Sequence, residues 1–265
     1  MSSQEVFLAR VRRALQAGHA SADHFAMAPQ SAQECSETPA GWLSRQQEQA
    51  PALLARLQEE LRAVGGTVLR AQSAAEATQY ITQLAIAKAA TLIVRWPSAV
   101  LDTLEIDAAL RQRGIEVQTT SWPPDEAGRD SEVAMAARRQ ELRALLARAE
   151  IGLSGVDYAI AATGTLVLSA LPGQMRSVSL LPPVHVAVMR REQIIATMAD
   201  YLGLLSADSP NLQQHLTSCV SFITGPSRTG DIELSLTVGV HGPGELHLVI
   251  LDEPEAAATG QSEEM

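Results

Sequence analysis

Hydrophobic residues recur along the chain with two alternating periods, one typical of helices and one typical of strands. Leu53, Leu57 and Leu61 form a helical stripe that ends at the pair Gly65-Gly66. The next residues, 67–71, have the apolar and β-branched composition of a strand. A helix followed by a short strand is therefore the first unit predicted in the body of the protein.

The alternation continues through the first half of the chain. Ser73 and Glu76 have the spacing of a capping box, in which the two side chains satisfy backbone N–H groups at the start of a helix. The predicted elements are a helix over residues 73–89, a strand over 91–96, a helix over 98–113, a strand over 115–120 and a helix over 131–149. Strands that alternate with helices are joined by right-handed crossovers, so this order predicts a Rossmann-like α/β fold whose mainly parallel sheet is flanked by helices.

The second half contains shorter and more closely spaced strands. They are predicted at residues 158–162, 165–170, 184–189, 219–224 and 245–251. Three helices are also predicted. The first covers residues 192–202 and ends at Gly203, the second begins at Ser209-Pro210, and the third covers residues 231–239 and ends at Gly239.

The two ends of the chain differ from this body. Residues 5–16 place apolar side chains on one helical face, and residues 20–39 follow as a linker without a clear period. This first helix can pack on its own chain or on a partner subunit, and the sequence leaves both open. The predicted organisation is an N-terminal helical arm and linker at residues 1–40, an α/β domain at residues 41–253 and a disordered acidic tail at residues 254–265.

Composition argues against several kinds of partner. The 265 residues carry a formal net charge of -10, whereas nucleic-acid binding needs a basic face. Cys35 and Cys219 lack the short spacings of zinc or iron–sulfur ligands, so no metal or cofactor is expected on this chain. The opening residues show no secretory cleavage pattern, which predicts a cytoplasmic protein. Asp157, three glycines and a proline interrupt the most apolar stretch, residues 151–172, so no membrane insertion is expected.

The most distinctive polar stretch is FITGPSRTGDIE at residues 222–233, where a predicted strand, a glycine turn and a predicted helix follow one another. The first N–H groups of a helix lack intrahelical partners and carry the positive end of its dipole, so such a turn favours an anion. Gly225 allows close approach to the backbone, while Ser227, Arg228 and Thr229 add side-chain donors. The alternative, in which the segment only caps the helix and Arg228 is a surface charge, stays open.

A second polar cluster lies in two turns beside apolar strands. One turn is Thr163-Gly164-Thr165, and the other contains Gln174 and Arg176. Loops at strand ends are where open α/β sheets bind ligands. The first turn can equally serve the backbone alone, with Thr favouring a strand and Gly a positive φ. The guanidinium of Arg176 must face solvent or pair with an anion.

Histidines and carboxylates supply the candidates for proton transfer. His185 lies within a predicted strand, and the alternation makes His247 a hydrogen-bonded strand residue rather than a ligand. His241 precedes a Gly-Pro-Gly turn and is the better candidate for a general base, with Asp231 and Glu233 near it in sequence. No recognised metal-ligand spacing is present, so no metal site is predicted.

Two long blocks resemble the LUD-domain family, also called the lactate utilization protein C family. They are YAIAATGTLVLSALPGQMRSVSLLPPVHVAVM at residues 158–189 and ITGPSRTGDIELSLTVGVHGPGELHLVILDE at residues 223–253. The similarity in organisation extends over residues 42–253. It implies an α/β fold similar to the group that contains CoA transferases, sugar-phosphate isomerases and 5-formyltetrahydrofolate cyclo-ligase.

The resemblance also implies a function. It implies a part in oxidising L-lactate to pyruvate, with iron–sulfur clusters carried by two partner proteins rather than by this chain. Ala162 and Gly244 depart from the family pattern, which usually has Glu and often Arg there, and this weakens acid–base catalysis by the chain alone. The family's characteristic residues correspond to Thr163, Gly164, Thr165, Gln174, Arg176, Pro182, His185, Gly225, Pro226, Ser227, Arg228, Thr229, Asp231, Glu233, His241, Gly242 and Pro243.

Three functions are open from the sequence. The first is a cytoplasmic, non-redox subunit of a lactate-oxidising system, in which the two polar turns bind a small anionic ligand. The second is a stand-alone enzyme of transferase or isomerase type, with Asp231 or Glu233 as base or nucleophile and His241 assisting. The third is a scaffold with a vestigial cleft whose first helix docks a partner.

Overall fold

The structure is a computed structural model, and it describes residues 39–120, 132–171, 173–206, 219–230 and 236–252. The chain divides into two compact units, residues 1–45 and residues 46–265. In the first unit the described residues are 39–45, the beginning of a helix. The predicted first helix and linker, the helix at Ser209-Pro210 and the acidic tail lie outside the described residues.

The described elements alternate along the first half of the chain as the hydrophobic pattern predicts. The helices are α1 (Pro39–Ala63), α2 (Ala74–Ala87), α3 (Ala99–Asp102), α4 (Ile106–Arg111), α5 (Glu132–Arg148) and α6 (Met198–Ser206). The strands are β1 (Thr67–Ala71), β2 (Leu92–Arg95), β3 (Glu116–Thr119), β4 (Ile151–Gly155), β5 (Tyr158–Ile160), β6 (Thr165–Ser169), β7 (Val184–Arg190), β8 (Ile194–Ile195), β9 (Val220–Ile223), β10 (Arg228–Gly230), β11 (Leu236–Val238) and β12 (Glu245–Leu251). Short 3₁₀ turns cover Arg176–Ser179 and Arg191–Gln193.

Six strands form one sheet in the order β1-β12-β7-β4-β2-β3, and every neighbouring pair in it is parallel. A second sheet has the order β8-β5-β6-β9, in which β5 pairs parallel with β8 while the other pairs are antiparallel. β10 and β11 form a separate antiparallel hairpin. The prediction of a mainly parallel α/β sheet is confirmed.

The four central strands of this sheet, β12, β7, β4 and β2, are buried on both faces, which is why they are nearly continuous apolar runs. Val186 and Val188 face the core formed with α2, α3 and α4. Ala187 and Met189 face the core formed with α1, α5 and the second sheet. Since side chains alternate along a strand, His185 at the amino end of β7 belongs to this second face.

The single helix predicted over residues 98–113 is wrong, because α3 and α4 are separated by Glu105 with a φ of 49°. The guanidinium of Arg95, which is buried, bonds the carboxylates of Asp102 and Asp107 on either side of the break, at 3.2 Å for Asp107. A continuous helix would not direct both carboxylates to one buried cation. Pairing of that charge therefore outweighs helix propensity here.

The helix predicted over residues 192–202 is displaced. Ile194 and Ile195 form β8 beside β5, and α6 begins only at Met198 and continues through Gly203 to Ser206. Thr197 caps it, since its hydroxyl accepts from the backbone N–H of Asp200 at 3.2 Å. The β-branched residues Ile194 and Ile195 thus belong to the second sheet, and the helix begins only after the cap at Thr197.

Gly152 allows the turn Arg176–Ser179 to lie directly on β4. A Cβ atom at position 152 would lie 1.9 Å from the carbonyl oxygen of Val178, so no side chain fits there. The turn is held against the sheet, and Ser179 at its end lines the same cavity as His185.

Gly152→Ala is expected to lower the free energy of unfolding by about 2–3 kcal/mol, because the added methyl group overlaps a backbone carbonyl and forces the turn or the strand to move. Thermal and urea unfolding measure this loss. Gly244→Ala is the matched control, since a Cβ there would lie 3.7 Å from its nearest neighbour and the backbone has no positive φ. Equal unfolding midpoints for the two variants would contradict the packing described for Gly152.

Candidate functional site

A cavity of about 210 Å³ lies at the amino ends of β7 and β12. His185 and Leu246 are paired neighbours on these strands and line it from the sheet side. The turn after Arg176–Ser179, the segment that follows β9 and the turn before β12 complete the lining. The lining residues are Ser179, Leu180, His185, Phe222, Ile223, Thr224, Gly225, Pro226, Ser227, His241, Gly242, Pro243 and Leu246.

Ser227 holds two parts of this lining together. Its backbone N–H donates to the carbonyl of Pro243 at 2.8 Å, and its carbonyl accepts from the N–H of Gly239 at 2.9 Å. Its hydroxyl accepts from the N–H of His241 at 3.3 Å. The segment after β9 and the turn before β12 are therefore fixed to each other by three hydrogen bonds from one residue.

His185 is the buried polar group of the lining, with 1% of its surface exposed. Its Nε2 atom lies 2.8 Å from the hydroxyl of Ser154, a fully buried residue of β4. Its Nδ1 atom is buried and has no hydrogen-bond partner among the described residues. Burial, and to a smaller extent nearby His247, lowers the pKa of His185 to about 3, so the ring is neutral at physiological pH.

The lining contains no Lys, Arg, Asp or Glu among the described residues. Its polar side chains are Ser179, His185, Thr224, Ser227 and His241, and the rest are apolar side chains, prolines and glycines. Such a site holds a small ligand by neutral hydrogen bonds and apolar contact rather than by a fixed opposite charge.

Comparison with known proteins identifies the family. A model of the LUD domain matches residues 54–251. The chain belongs to the LUD-domain family. The resemblance seen in the sequence is thereby confirmed.

Relatives of this LUD domain include two curated groups and one solved structure. The chain is 31% identical to lactate utilization protein B of Shouchella clausii, over 78% of this chain and 50% of that protein. It is 30% identical to lactate utilization protein C of Halalkalibacterium halodurans, over 61% of this chain and 63% of that protein. It thus spans about half the length of the lactate utilization protein B relatives that it matches. The crystal structure of a DUF162 family protein from Deinococcus radiodurans is similar in fold, with a TM-score of 0.50 and 20% identity over 76% of this chain and 98% of that one.

The helix predicted at residues 231–239 of the LUD domain is wrong in its described part. Leu236–Val238 is a strand, and it pairs antiparallel with Arg228–Gly230. Leu-Thr-Val alternates with the period of a strand, and pairing with the preceding segment fixes that conformation. The predicted helix is therefore contradicted over residues 236–238, while its expected start, with Asp231 and Glu233, lies outside the described residues.

Arg228 and Thr229 of the predicted site are not among the lining residues of the cavity. The Arg228 guanidinium donates to the carbonyl of Val64 at 2.6 Å, just beyond the end of α1. The negative end of the helix dipole also stabilises a cation at this position. Thr229 pairs with Thr237 in the hairpin. Gly225 and Ser227 of the same segment line the cavity.

The turn Thr163-Gly164-Thr165 is not part of the cavity lining. A Cβ on Gly164 would lie 2.6 Å from the backbone nitrogen of Leu61, so the glycine provides contact with α1. The hydroxyl of Thr165 lies 2.7 Å from those of both Thr163 and Thr224. Thr224 lines the cavity, so the three hydrogen-bonded hydroxyl groups are connected to the cavity by Thr224.

Gln174 and Arg176 also lie outside the lining. The amide of Gln174 donates to the carbonyl of Pro97 at 3.3 Å, and the Arg176 guanidinium lies 3.7 Å from the sulfur of Cys219. Ala162 and Gly244, the two departures from the family pattern, are likewise not lining residues.

The remaining histidines differ in their surroundings. His241 lines the cavity and is exposed. His247 is hydrogen-bonded, as the alternation indicates: its Nδ1 lies 2.7 Å from the Tyr80 hydroxyl and its Nε2 3.4 Å from Glu245. Burial lowers the pKa of His247, although Glu245 acts in the opposite direction. Glu245 also pairs with Lys88 at 2.5 Å.

Sequence reasoning missed Ser154, Ser179 and Thr224 as members or neighbours of the site. The available signal was a polar residue inside an apolar strand, as in Ile-Gly-Leu-Ser-Gly at Ile151–Gly155. Such a residue indicates that the Ser154 hydroxyl is buried. It does not indicate that His185 is the hydrogen-bond partner, because that contact depends on the register between β4 and β7.

Within the described ranges, no group of three or more His, Cys, Asp or Glu is arranged to hold a metal ion. The described helices also include none with the length and apolar character needed to span a membrane.

Arg228→Ala is expected to lower the free energy of unfolding by about 1 kcal/mol, because the end of α1 loses a charged hydrogen-bond donor. The measurement is the thermal and urea midpoint of the purified chain. Arg113→Ala is the control: Arg113 is an exposed arginine whose side chain makes no hydrogen bond or ion pair with the described residues. An unchanged midpoint for Arg228→Ala would show that the contact with Val64 contributes nothing to stability.

Proposed function

We propose that this LUD domain is a non-redox subunit of a system that oxidises L-lactate to pyruvate, and that its cavity binds a small carboxylate ligand. Its relatives of about 30% identity are named lactate utilization proteins B and C. The observation that carries the ligand proposal is the cavity of about 210 Å³ with a buried, neutral histidine in its wall.

The size of the cavity favours a small acid. Pockets for drug-sized ligands occupy roughly 300–1,000 Å³, which exceeds the cavity found here. A carboxylic acid of three or four carbons fits, whereas coenzyme A cannot be enclosed. This favours the subunit function over a coenzyme A transferase whose whole substrate is buried.

The chemistry of the lining favours a weakly held carboxylate over a phosphate ester. Hydroxyl groups of Thr224 and Ser227 and the ring of His185 can donate to carboxylate oxygens. A doubly charged phosphate would need arginine or lysine to offset its desolvation, and the described lining has neither. Affinity for the acid should accordingly be modest and little affected by salt.

The oxidation reaction requires an electron acceptor, and the proposal assigns that acceptor to partner subunits. Oxidation of L-lactate to pyruvate removes two electrons and two protons from the substrate, and these electrons need an acceptor. Cys35 and Cys219 are the chain's two cysteines, too few for a four-cysteine iron–sulfur cluster. The proposal therefore assigns the clusters to iron–sulfur partner subunits in the cytoplasm and leaves ligand binding to this chain.

Isothermal titration of the purified chain tests the cavity. L-lactate or pyruvate is expected to bind, while coenzyme A and ribose 5-phosphate are not. Gly242→Val should abolish binding, because a Cβ there lies 3.3 Å from Ser227 and within 4.0 Å of Leu180, so that a larger side chain fills the cavity. Gly244→Val, two residues away and outside the lining, is the control. Absence of binding by the unaltered chain to either acid would overturn the ligand proposal.

Deletion of the coding sequence from its host tests the pathway. Growth on L-lactate should fall severalfold, while growth on pyruvate should be unaffected, because pyruvate enters metabolism after the oxidation step. An affinity-tagged chain should also copurify with cysteine-rich iron–sulfur proteins. Normal growth of the deletion strain on L-lactate would contradict the proposed role.

A further inference from the structure

Three threonine hydroxyls form a hydrogen-bonded row that ends at a lining residue of the cavity. Thr165 is buried, and its Oγ1 lies 2.7 Å from the Oγ1 of Thr163 and 2.7 Å from the Oγ1 of Thr224. Thr163 and Thr224 are exposed, and Thr224 lines the cavity. The Thr165 side chain has no third hydrogen-bond partner among the described residues. Its proton must therefore go to one of its two neighbours.

The hydroxyl protons of this row have two arrangements that satisfy Thr165. A hydroxyl group has one proton to donate and two lone pairs that accept, so Thr165 donates to one neighbour and accepts from the other. In the first arrangement Thr163 donates to Thr165, and Thr165 donates to Thr224. In the second arrangement both directions are reversed. If both neighbours donated to Thr165, its buried proton would have no acceptor, so that arrangement is disfavoured.

The two arrangements differ in what Thr224 offers to a ligand. In the first, the oxygen of Thr224 accepts from Thr165, and its own proton is free for a ligand in the cavity. In the second, that proton is used in the bond to Thr165, and Thr224 offers only lone pairs. A carboxylate accepts hydrogen bonds and donates none, so only the first arrangement allows Thr224 to bind it.

Ser227 supplies a second hydroxyl donor in the lining. Its oxygen accepts from the backbone N–H of His241 at 3.3 Å, and because an N–H group only donates, this bond leaves the Ser227 proton free. Ser227 and Thr224 both line the cavity, whose described lining has no arginine or lysine. A carboxylate has two acceptor oxygens and so matches this pair of neutral donors.

From this geometry we infer that an acid in the cavity is held by the hydroxyls of Thr224 and Ser227, and that Thr165 is a positioning residue. Thr165 frees the proton of Thr224 by donating its own, while Thr163 competes with Thr224 for the proton of Thr165. The inference rests on the proposed function of the cavity, because it names the contacts that hold the proposed carboxylate.

Unfolding of the ligand-free chain tests the row by itself. In Thr163→Val or in Thr224→Val the proton of Thr165 still has one acceptor, whereas the double variant leaves it none. The double variant is expected to lower the thermal and urea midpoints by more than the sum of the two single losses, because it alone buries an unsatisfied donor. Additive losses would overturn the description of the row, whether or not any acid binds.

Isothermal titration with L-lactate and with pyruvate tests the role of Thr165. Thr165→Val and Thr163→Val are a matched pair, since each replaces one hydroxyl of the row by a methyl group. Thr165→Val is expected to weaken binding about threefold, because Thr224 loses the donor that orients it. Thr163→Val is expected to tighten binding by up to about twofold, because Thr165 can then donate only to Thr224. Equal weakening in both variants, or unchanged affinity in Thr165→Val, would remove the positioning role.

The same titration tests the two direct contacts. Thr224→Val and Ser227→Ala are each expected to weaken binding about tenfold, the loss of one hydrogen bond. Thr165→Ser, which keeps the hydroxyl, should restore the affinity lost in Thr165→Val, and unfolding midpoints verify that each variant is folded. Unchanged affinity in Thr224→Val would contradict the contact. If the unaltered chain binds neither acid but the double variant shows the excess loss, the function proposed for the cavity fails and the row stands.

Discussion

The fold depends on the insertion of the last described strand, β12, between β1 and β7. It pairs in parallel with β1 from Thr67 to Ala71 and with β7 over its whole length, Val184–Arg190. This placement joins the first strand of the sheet to the rest through the carboxyl end of the domain. It also brings the turn before β12, with His241 and Gly242, beside His185. The cavity exists because two distant segments of the chain meet at one end of two paired strands.

The end of α1 is the second organising feature. Gly164 contacts the backbone around Leu61, Gly225 contacts Val64, and Arg228 donates to the carbonyl of Val64. Both glycine turns that suggest ligand binding in the sequence therefore rest on one helix terminus. Their glycines permit close approach of a helix in the same way as they would permit close approach of a ligand. Composition alone cannot separate these two uses.

The sequence predicts the parallel sheet well because its four central strands are buried on both faces and are consequently largely apolar. It predicts α1 and α2 well for a similar reason, since Leu57 and Leu61 face a core and Ser73 supplies a cap. It fails where distant partners decide the conformation. Arg95 breaks the helix predicted over residues 98–113, and Arg228–Gly230 pairs with a segment predicted to be helical.

The same limit applies to the site. His185, Gly225, Ser227 and His241 are predicted and do line the cavity, whereas Ser154 is not predicted. The spacing of Ser154 and His185 along the chain carries no information on their contact. It arises from the register in which Gly152 opposes His185, so that Ser154 lies two residues further on the same face. Register between distant parallel strands is set by the whole sheet and cannot be deduced from local pattern.

The central position of β12 has a consequence for synthesis. During translation, β1 and β7 emerge before residues 245–251 leave the ribosome. Until then β1 lacks its described partner strand and β7 has one open hydrogen-bonding edge. The sheet can close only after β12 has been synthesised, so the domain must complete its folding after that point. In a crowded cell the nascent protein therefore passes through a stage in which the unpaired edges of β1 and β7 are available to other chains, and shielding by chaperones would be most valuable at that stage.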